Sequence, residues 1–267
     1  LDQGDDLMTA LKSSRCSFSM IDNSAVRTFI SDLANGNEDD FKLVIEKNDS
    51  GYDLFWCGVI SCQGVQYQDF PDDITTFTIT AIDGIGRLKD IRFDFATTAV
   101  SNQYTLLQFI YEALEYNDLS QYWGASDPYF KESCEFYDTQ MTTTTSTYSP
   151  FLLTRCDKNQ FLTDKVIGYE RRKLLHGMFS FPEYEPMSCY DVLENILQLF
   201  SCRIFMSNGS YYIEQIRNKS AASYKVRSIS KSLTVLNDNT ENIRLTNATD
   251  FKRIRGGLFA FERPLQE

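Results

Sequence analysis

Apolar and polar residues alternate along several short runs, each closed by a turn cluster. Cys16-Ser17-Phe18-Ser19-Met20 has a period of two, and so does Thr75-Thr76-Phe77-Thr78-Ile79-Thr80-Ala81-Ile82. That period predicts strands with one buried face. Phe41 to Lys47 and Tyr52 to Ile60 flank the turn residues Asn48-Asp49-Ser50-Gly51, which predicts a β-hairpin. Asp83-Gly84-Ile85-Gly86 ends the Thr-rich strand. Val26 to Leu33 is apolar and fits helix or strand. Residues 1–14 and 61–74 read as loops.

Helical spacing occurs twice. Tyr104, Leu107, Ile110 or Tyr111, and Leu114 predict an amphipathic helix near 102–116, with Ser101 or Asn102 as its cap. Ser188-Cys189-Tyr190-Asp191 is a near capping box with Asp in the usual Glu or Gln position. It opens a second helix near 189–200 through Val192, Leu193, Ile196 and Leu197. Arg203 to Ser207 and Ser210 to Ile216 then flank Asn208-Gly209, the preferred pair for a type I′ turn, so a hairpin is expected over 203–216. Tyr104-Thr105-Leu106-Leu107 and Tyr190-Asp191-Val192-Leu193 hint at a repeated helix. Strand-like pieces recur at 243–245 and 258–261.

These elements predict a β-rich α+β protein with antiparallel sheets and packed helices. Three segments are expected: an acidic β-rich domain over 1–135, a Thr-rich linker or long loop over 136–150, and a second α+β domain over 151–267. Charge supports the division. Residues 1–135 hold nine basic and 23 acidic residues, a balance of −14, and residues 136–267 hold 17 and 14, a balance of +3. The net charge of −11 argues against general nucleic-acid binding, which needs surplus Lys and Arg. No apolar run approaches the roughly 20 residues of a membrane helix, so this segment is not expected to insert into a membrane. Leu1 and Glu267 are expected to bound a piece of a longer chain.

Candidate chemistry is sparse. Seven cysteines without a CxxC lie mostly in apolar stretches, as small buried hydrophobes do. The single histidine, His176, has no nucleophile elbow or HExxH around it. Asp83-Gly84-Ile85-Gly86 supplies only part of a dinucleotide fingerprint, whose third Gly is missing. Asp39-Asp40 and Asp72-Asp73 lack EF-hand spacing and read as solvated loops. Arg171-Arg172-Lys173 and Lys252, Arg253 and Arg255 are short basic clusters. The aromatics of Tyr116 to Tyr137 fit core or interface packing, or alternatively a sugar platform. No catalytic residue, metal site or cofactor site is read from these, so the chain is expected not to be an enzyme.

One set of motifs goes further. Leu54-Phe55-Trp56-Cys57-Gly58-Val59-Ile60, an acidic loop with Pro71, and Phe77-Thr78-Ile79-Thr80-Ala81-Ile82-Asp83-Gly84-Ile85-Gly86-Arg87-Leu88-Lys89-Asp90-Ile91 form one part. Cys189 to Leu197 and the Asn208-Gly209 hairpin form the other. Together they resemble a segment of large tail proteins in phages and prophages of Bacteroidetes. There an LFWKGW strand precedes a TATDGLGxLK strand, and a later helix precedes an RIxxxNGxWYI hairpin. Cys57 stands where Lys is common, and Ile85 where Leu is usual. The same helix and hairpin are similar to baseplate hub proteins. The resemblance implies tube-like β domains, a homotrimeric ring in the virion tail assembled in the host cytoplasm, and tube, spike or fibre proteins as partners. It also implies DNA in passage, not specifically bound. It lends no catalytic residues. The alternative is a cell-surface carbohydrate-binding β module.

Overall fold

The computed structural model describes residues 9–37, 40–48, 52–61, 66–68, 76–93, 103–133, 149–157, 162–165, 183–215, 223–242 and 259–261. The first sheet is built on β1 (Arg15–Ile21), β2 (Lys42–Asn48), β3 (Tyr52–Ile60) and β5 (Thr76–Ile82). Strand order is β15-β1-β5-β3-β2, where β15 is Phe259–Phe261. A short strand β4 (Gln66–Gln68) also pairs with β5, so the expected 61–74 loop contains a strand. Alternation in β1 and β5 has a direct cause. Ser17 meets Thr80 and Ser19 meets Thr78 through hydroxyl hydrogen bonds of 2.9 and 2.8 Å. The intervening residues pair as Cys16 with Ala81 and Phe18 with Ile79. Each face of the ladder is therefore chemically uniform. The ambiguous segment is a helix, α1 (Ser24–Asn35), capped by Asn23, whose Oδ1 accepts from the Val26 amide at 3.0 Å.

The middle of the chain holds β6 (Gln103–Thr105), α2 (Leu106–Glu115), β7 (Phe130–Ser133), α3 (Pro150–Leu153) and β8 (Arg155–Asp157). The Thr-rich stretch lies outside the described residues except for Ser149 and Pro150. Ser149 caps α3 and Pro150 takes its first turn. A small pair, β9 (Leu162–Lys165) with β10 (Glu183–Pro186), precedes α4 (Cys189–Leu199). The second sheet adds β11 (Cys202–Ser207), β12 (Ser210–Gln215), β13 (Ser223–Ile229) and β14 (Val235–Asn242). Its order is β11-β12-β7-β13-β14. The contact between β12 and β7 is parallel, while β11–β12, β7–β13 and β13–β14 are antiparallel. One sheet curls into a half-barrel. The strand-like piece at 243–245 lies outside the described residues.

Helices α2 and α4 pack together in the core. Their buried faces coincide when their caps, Thr105 and Ser188, are superposed. Leu106, Phe109, Ile110, Ala113 and Leu114 then match Cys189, Val192, Leu193, Ile196 and Leu197. Thr105 Oγ1 accepts from the Gln108 amide at 3.2 Å and Ser188 Oγ from the Asp191 amide at 3.1 Å. This register differs from the Tyr104–Tyr190 pairing, which ignores the caps. Side chains of both helices and both sheets join one contiguous apolar core.

Candidate functional site

Three of the stretches that carry the resemblance meet at one junction between the sheets. The first is the end of β5. Asp83 is fully buried, with four hydrogen bonds to its carboxylate: from Ser13 Oγ at 2.8 Å, the Ser14 amide at 2.5 Å, Ser14 Oγ at 2.8 Å and the Ile85 amide at 3.1 Å. Burial pushes this carboxyl above its ordinary value, and the four donors pull it back. Gly84 has a φ of 84°, and a Cβ there would lie 2.6 Å from the side-chain carbon of Asn117. Asp83-Gly84-Ile85-Gly86 is thus a left-handed turn into a short 3-10 segment, Ile85–Lys89. That turn is a structural use of glycine, unlike a phosphate loop.

The second stretch is β3. Trp56 is buried and its indole Nε1 donates to Ser14 Oγ at 3.0 Å, so the tryptophan holds the group that holds Asp83. Gly58 must lack a side chain because a Cβ would strike the Ile82 carbonyl. Cys57, between them, is buried, and its thiol is pushed up to about 12 by desolvation, then by the charge of Asp83, against the opposing pull of Lys42. It is an inert packing thiol.

The third stretch is the β11–β12 hairpin. Asn208 and Gly209 have φ of 44° and 67°, as a type I′ turn requires. Their tip docks on β3: the Gly209 amide donates to the Phe55 carbonyl at 2.7 Å, and a Cβ on Gly209 would collide with the Leu54 carbonyl. From the other side Trp123 Nε1 donates to the Gly209 carbonyl at 2.6 Å. Trp123, Tyr129 and Tyr211 form a buried ring cluster there, with centroids 4.8, 5.4 and 5.8 Å apart. Burial raises the Tyr129 and Tyr211 hydroxyls well above their ordinary range. Lys42 closes the junction. Its ammonium donates to the Asn117 and Asp118 carbonyls at 3.0 Å each and pairs with the Asp118 carboxylate at 3.1 Å, stopping the C-terminus of α2.

Little else among the described residues gathers chemistry. His176, Asp39, Asp72, Asp73, Arg171, Arg172, Lys173, Lys252, Arg253 and Arg255 lie outside the described residues. Asp40 is exposed and accepts from the Asn37 amide at 3.0 Å. Cys16, Cys57, Cys189 and Cys202 are buried and Cys156 is half-buried, all as thiols, while Cys62 and Cys134 are outside the described residues. Among the described residues no group of three or more His, Cys, Asp or Glu could hold a metal ion. Trp56, Trp123, Tyr129 and Tyr211 are all buried, whereas Tyr116 is exposed. No helix of the described residues is long and apolar enough to cross a membrane.

Sequence reasoning located each glycine turn but missed Ser13, Ser14, Lys42 and Asn117. Their partners are 69 to 76 residues away for the serines and Lys42, so no local pattern marks them.

No family model matches the chain, and no curated protein matches it. Among solved structures, it is similar to prophage tail protein gp18 from Listeria monocytogenes EGD-e. Identity is 8% and the TM-score is 0.25, over 85% of this chain and 60% of that one. The chain therefore spans less than two thirds of that protein's length, and the likeness is weak.

Proposed function

We propose that this chain is a non-enzymatic structural component of a phage or prophage tail, acting as a baseplate or tail-tip hub. The observation that carries the reading is the meeting of its motifs. The LFW strand, the Asp-Gly turn and the Asn-Gly hairpin, on which the sequence resemblance rests, are held together by hydrogen bonds, directly between Gly209 and Phe55 and through Ser14 between Trp56 and Asp83. Motif residues spent on packing belong to a scaffold, not to a reactive centre. Buried aromatics also weigh against the carbohydrate-binding alternative, which needs rings presented together to solvent.

In this reading three copies form a ring that joins the tail tube to a spike or fibre. The acidic half, at −14, faces the channel and repels DNA in passage, while the half at +3 makes contacts between subunits. Native mass measurement of the chain with its flanking sequence, at micromolar concentration, is the first test, with a trimer or larger ring expected. Antibody-gold labelling of induced particles is the second, with label at the tail end remote from the head. A chain missing from purified particles overturns the reading, and so does a monomer that binds polysaccharide.

A further inference from the structure

The run that forms β1 belongs to both sheets. From Arg15 onward it pairs with β5 in the first sheet. Just before that it lies along β11 in the second. Leu11 forms a parallel bridge with Ile204, the Lys12 amide donates to the Ile204 carbonyl at 3.0 Å, and the Ile204 amide donates to the Ala10 carbonyl at 2.8 Å. Ala10, Leu11 and Lys12 are buried. The crossing point is Ser13-Ser14, where the backbone changes sheets and its polar groups must find partners away from either ladder. Asp83 supplies them. It accepts from both hydroxyls and the Ser14 amide, and the Asp83 amide donates back to the Ser14 carbonyl at 3.1 Å. Trp56 fixes the same hydroxyl.

We infer that Ala10–Ser14 is a clasp through which the Asp83 junction in the first sheet holds shut the outer edge of the second. β11 is the terminal strand of its sheet, and the clasp occupies the Ile204 amide and carbonyl on that edge. The five residues make no regular ladder of their own, so their order depends on being held at both ends. Loss of the Asp83 end leaves the Ile204 end to bear the whole entropy of ordering them. Two sites distant in sequence are thereby coupled, and the coupling is reciprocal. The hairpin tip is tied to β3 separately, through Gly209 and Phe55, so it reports whether the whole interface has loosened or only the clasp.

Amide hydrogen exchange on the full chain tests this. In Ser14→Ala, exchange at Ile204 and Lys12 is expected to accelerate about tenfold or more, while Gly209 and the amides of β7 and β12 keep their protection. In the reverse variant, Leu11→Ala, exchange at Asp83 is expected to accelerate, because its acceptor is the Ser14 carbonyl. Wild-type exchange at Ile204 in a folded Ser14→Ala protein overturns the inference. If Ser14→Ala loosens every core amide together, the reverse variant decides: acceleration confined to Asp83 and its neighbours supports the clasp, and an unchanged Asp83 overturns it.

Discussion

Asp83 shows how a charge is kept inside this protein. Its carboxylate has four donors around it and no exposure to solvent. Burial is the larger influence and raises its pKa in the folded state above the ordinary 3.8. The sign of the pH dependence follows. A group whose folded value is raised contributes its full stability below the unfolded value and loses it as pH rises through the folded one. Asp83→Asn removes this titration. The stability advantage of the wild type over the variant, read from urea midpoints, is therefore expected to be greatest near pH 4 and to shrink towards pH 8. A flat difference across that range contradicts the assignment. Asp83→Ala is a harsher change, leaving the Ser14 and Ile85 amides without their acceptor. Its expected cost is on the order of 3 kcal/mol, from about 1–3 kcal/mol for each buried donor left unsatisfied.

Elements are joined by groups that reach from one to the next, and these joints can be tested singly. Lys42 sits on β2, yet its ammonium serves the end of α2. The ammonium side chain is 10% exposed while that of Asp118 is 78% exposed. The carbonyl bonds therefore outweigh the ion pair, which water screens. Lys42→Met is expected to cost about 1–3 kcal/mol, and Asp118→Asn, which also tolerates the positive φ of 51°, under about 1 kcal/mol. Chemical denaturation of the two variants side by side checks the order. Gly209→Ala should cost at least about 1–2 kcal/mol from its left-handed backbone alone, and more from the collision with the Leu54 carbonyl. Gly86→Ala, with nothing near its missing Cβ and no positive φ, serves as the mild control. These contrasts also explain what could be read in the sequence. Strands β1 and β5 were legible from their alternation of apolar and polar residues, and β2 and β3 from the turn residues between two apolar runs. Helices α2 and α4 were legible from apolar residues at helical spacing, with the Ser188 cap for α4; the cap of α2 is Thr105, not Ser101 or Asn102. The Asn208-Gly209 turn was legible because its backbone demands those residues. Strand β7 was not: Phe130-Lys131-Glu132-Ser133 is short and carries two charges, one of them on the buried Glu132. Its strand state is imposed by neighbours about 80 to 100 residues further along the chain. The junction around Asp83 was hidden for the same reason.

At the scale of the molecule, β7 bears on the expected division near residues 135–136. It lies on the acidic side of that division in sequence, yet between β12 and β13 in the sheet otherwise made from residues 202–242. Phe130 pairs with both Tyr211 and Ile229, and Glu132 stands opposite Ile213 on one side and the buried Arg227 on the other. Without β7, the adjoining backbone edges of β12 and β13 lose the partner that separates and joins them, and buried backbone groups rarely stay unsatisfied. Helix α2, packed on α4, is also supplied from before residue 135. A fragment of residues 136–267 is therefore expected to lack a cooperative unfolding transition and dispersed amide resonances. A fragment of residues 103–267, which restores α2 and β7, is expected to regain dispersed amide resonances for the second sheet, at lower stability than the full chain because the core shared with the first sheet is gone. Native-like spectra from the shorter fragment would show that β7 is an accessory strand, and the charge division at 135–136 would then coincide with a true folding boundary.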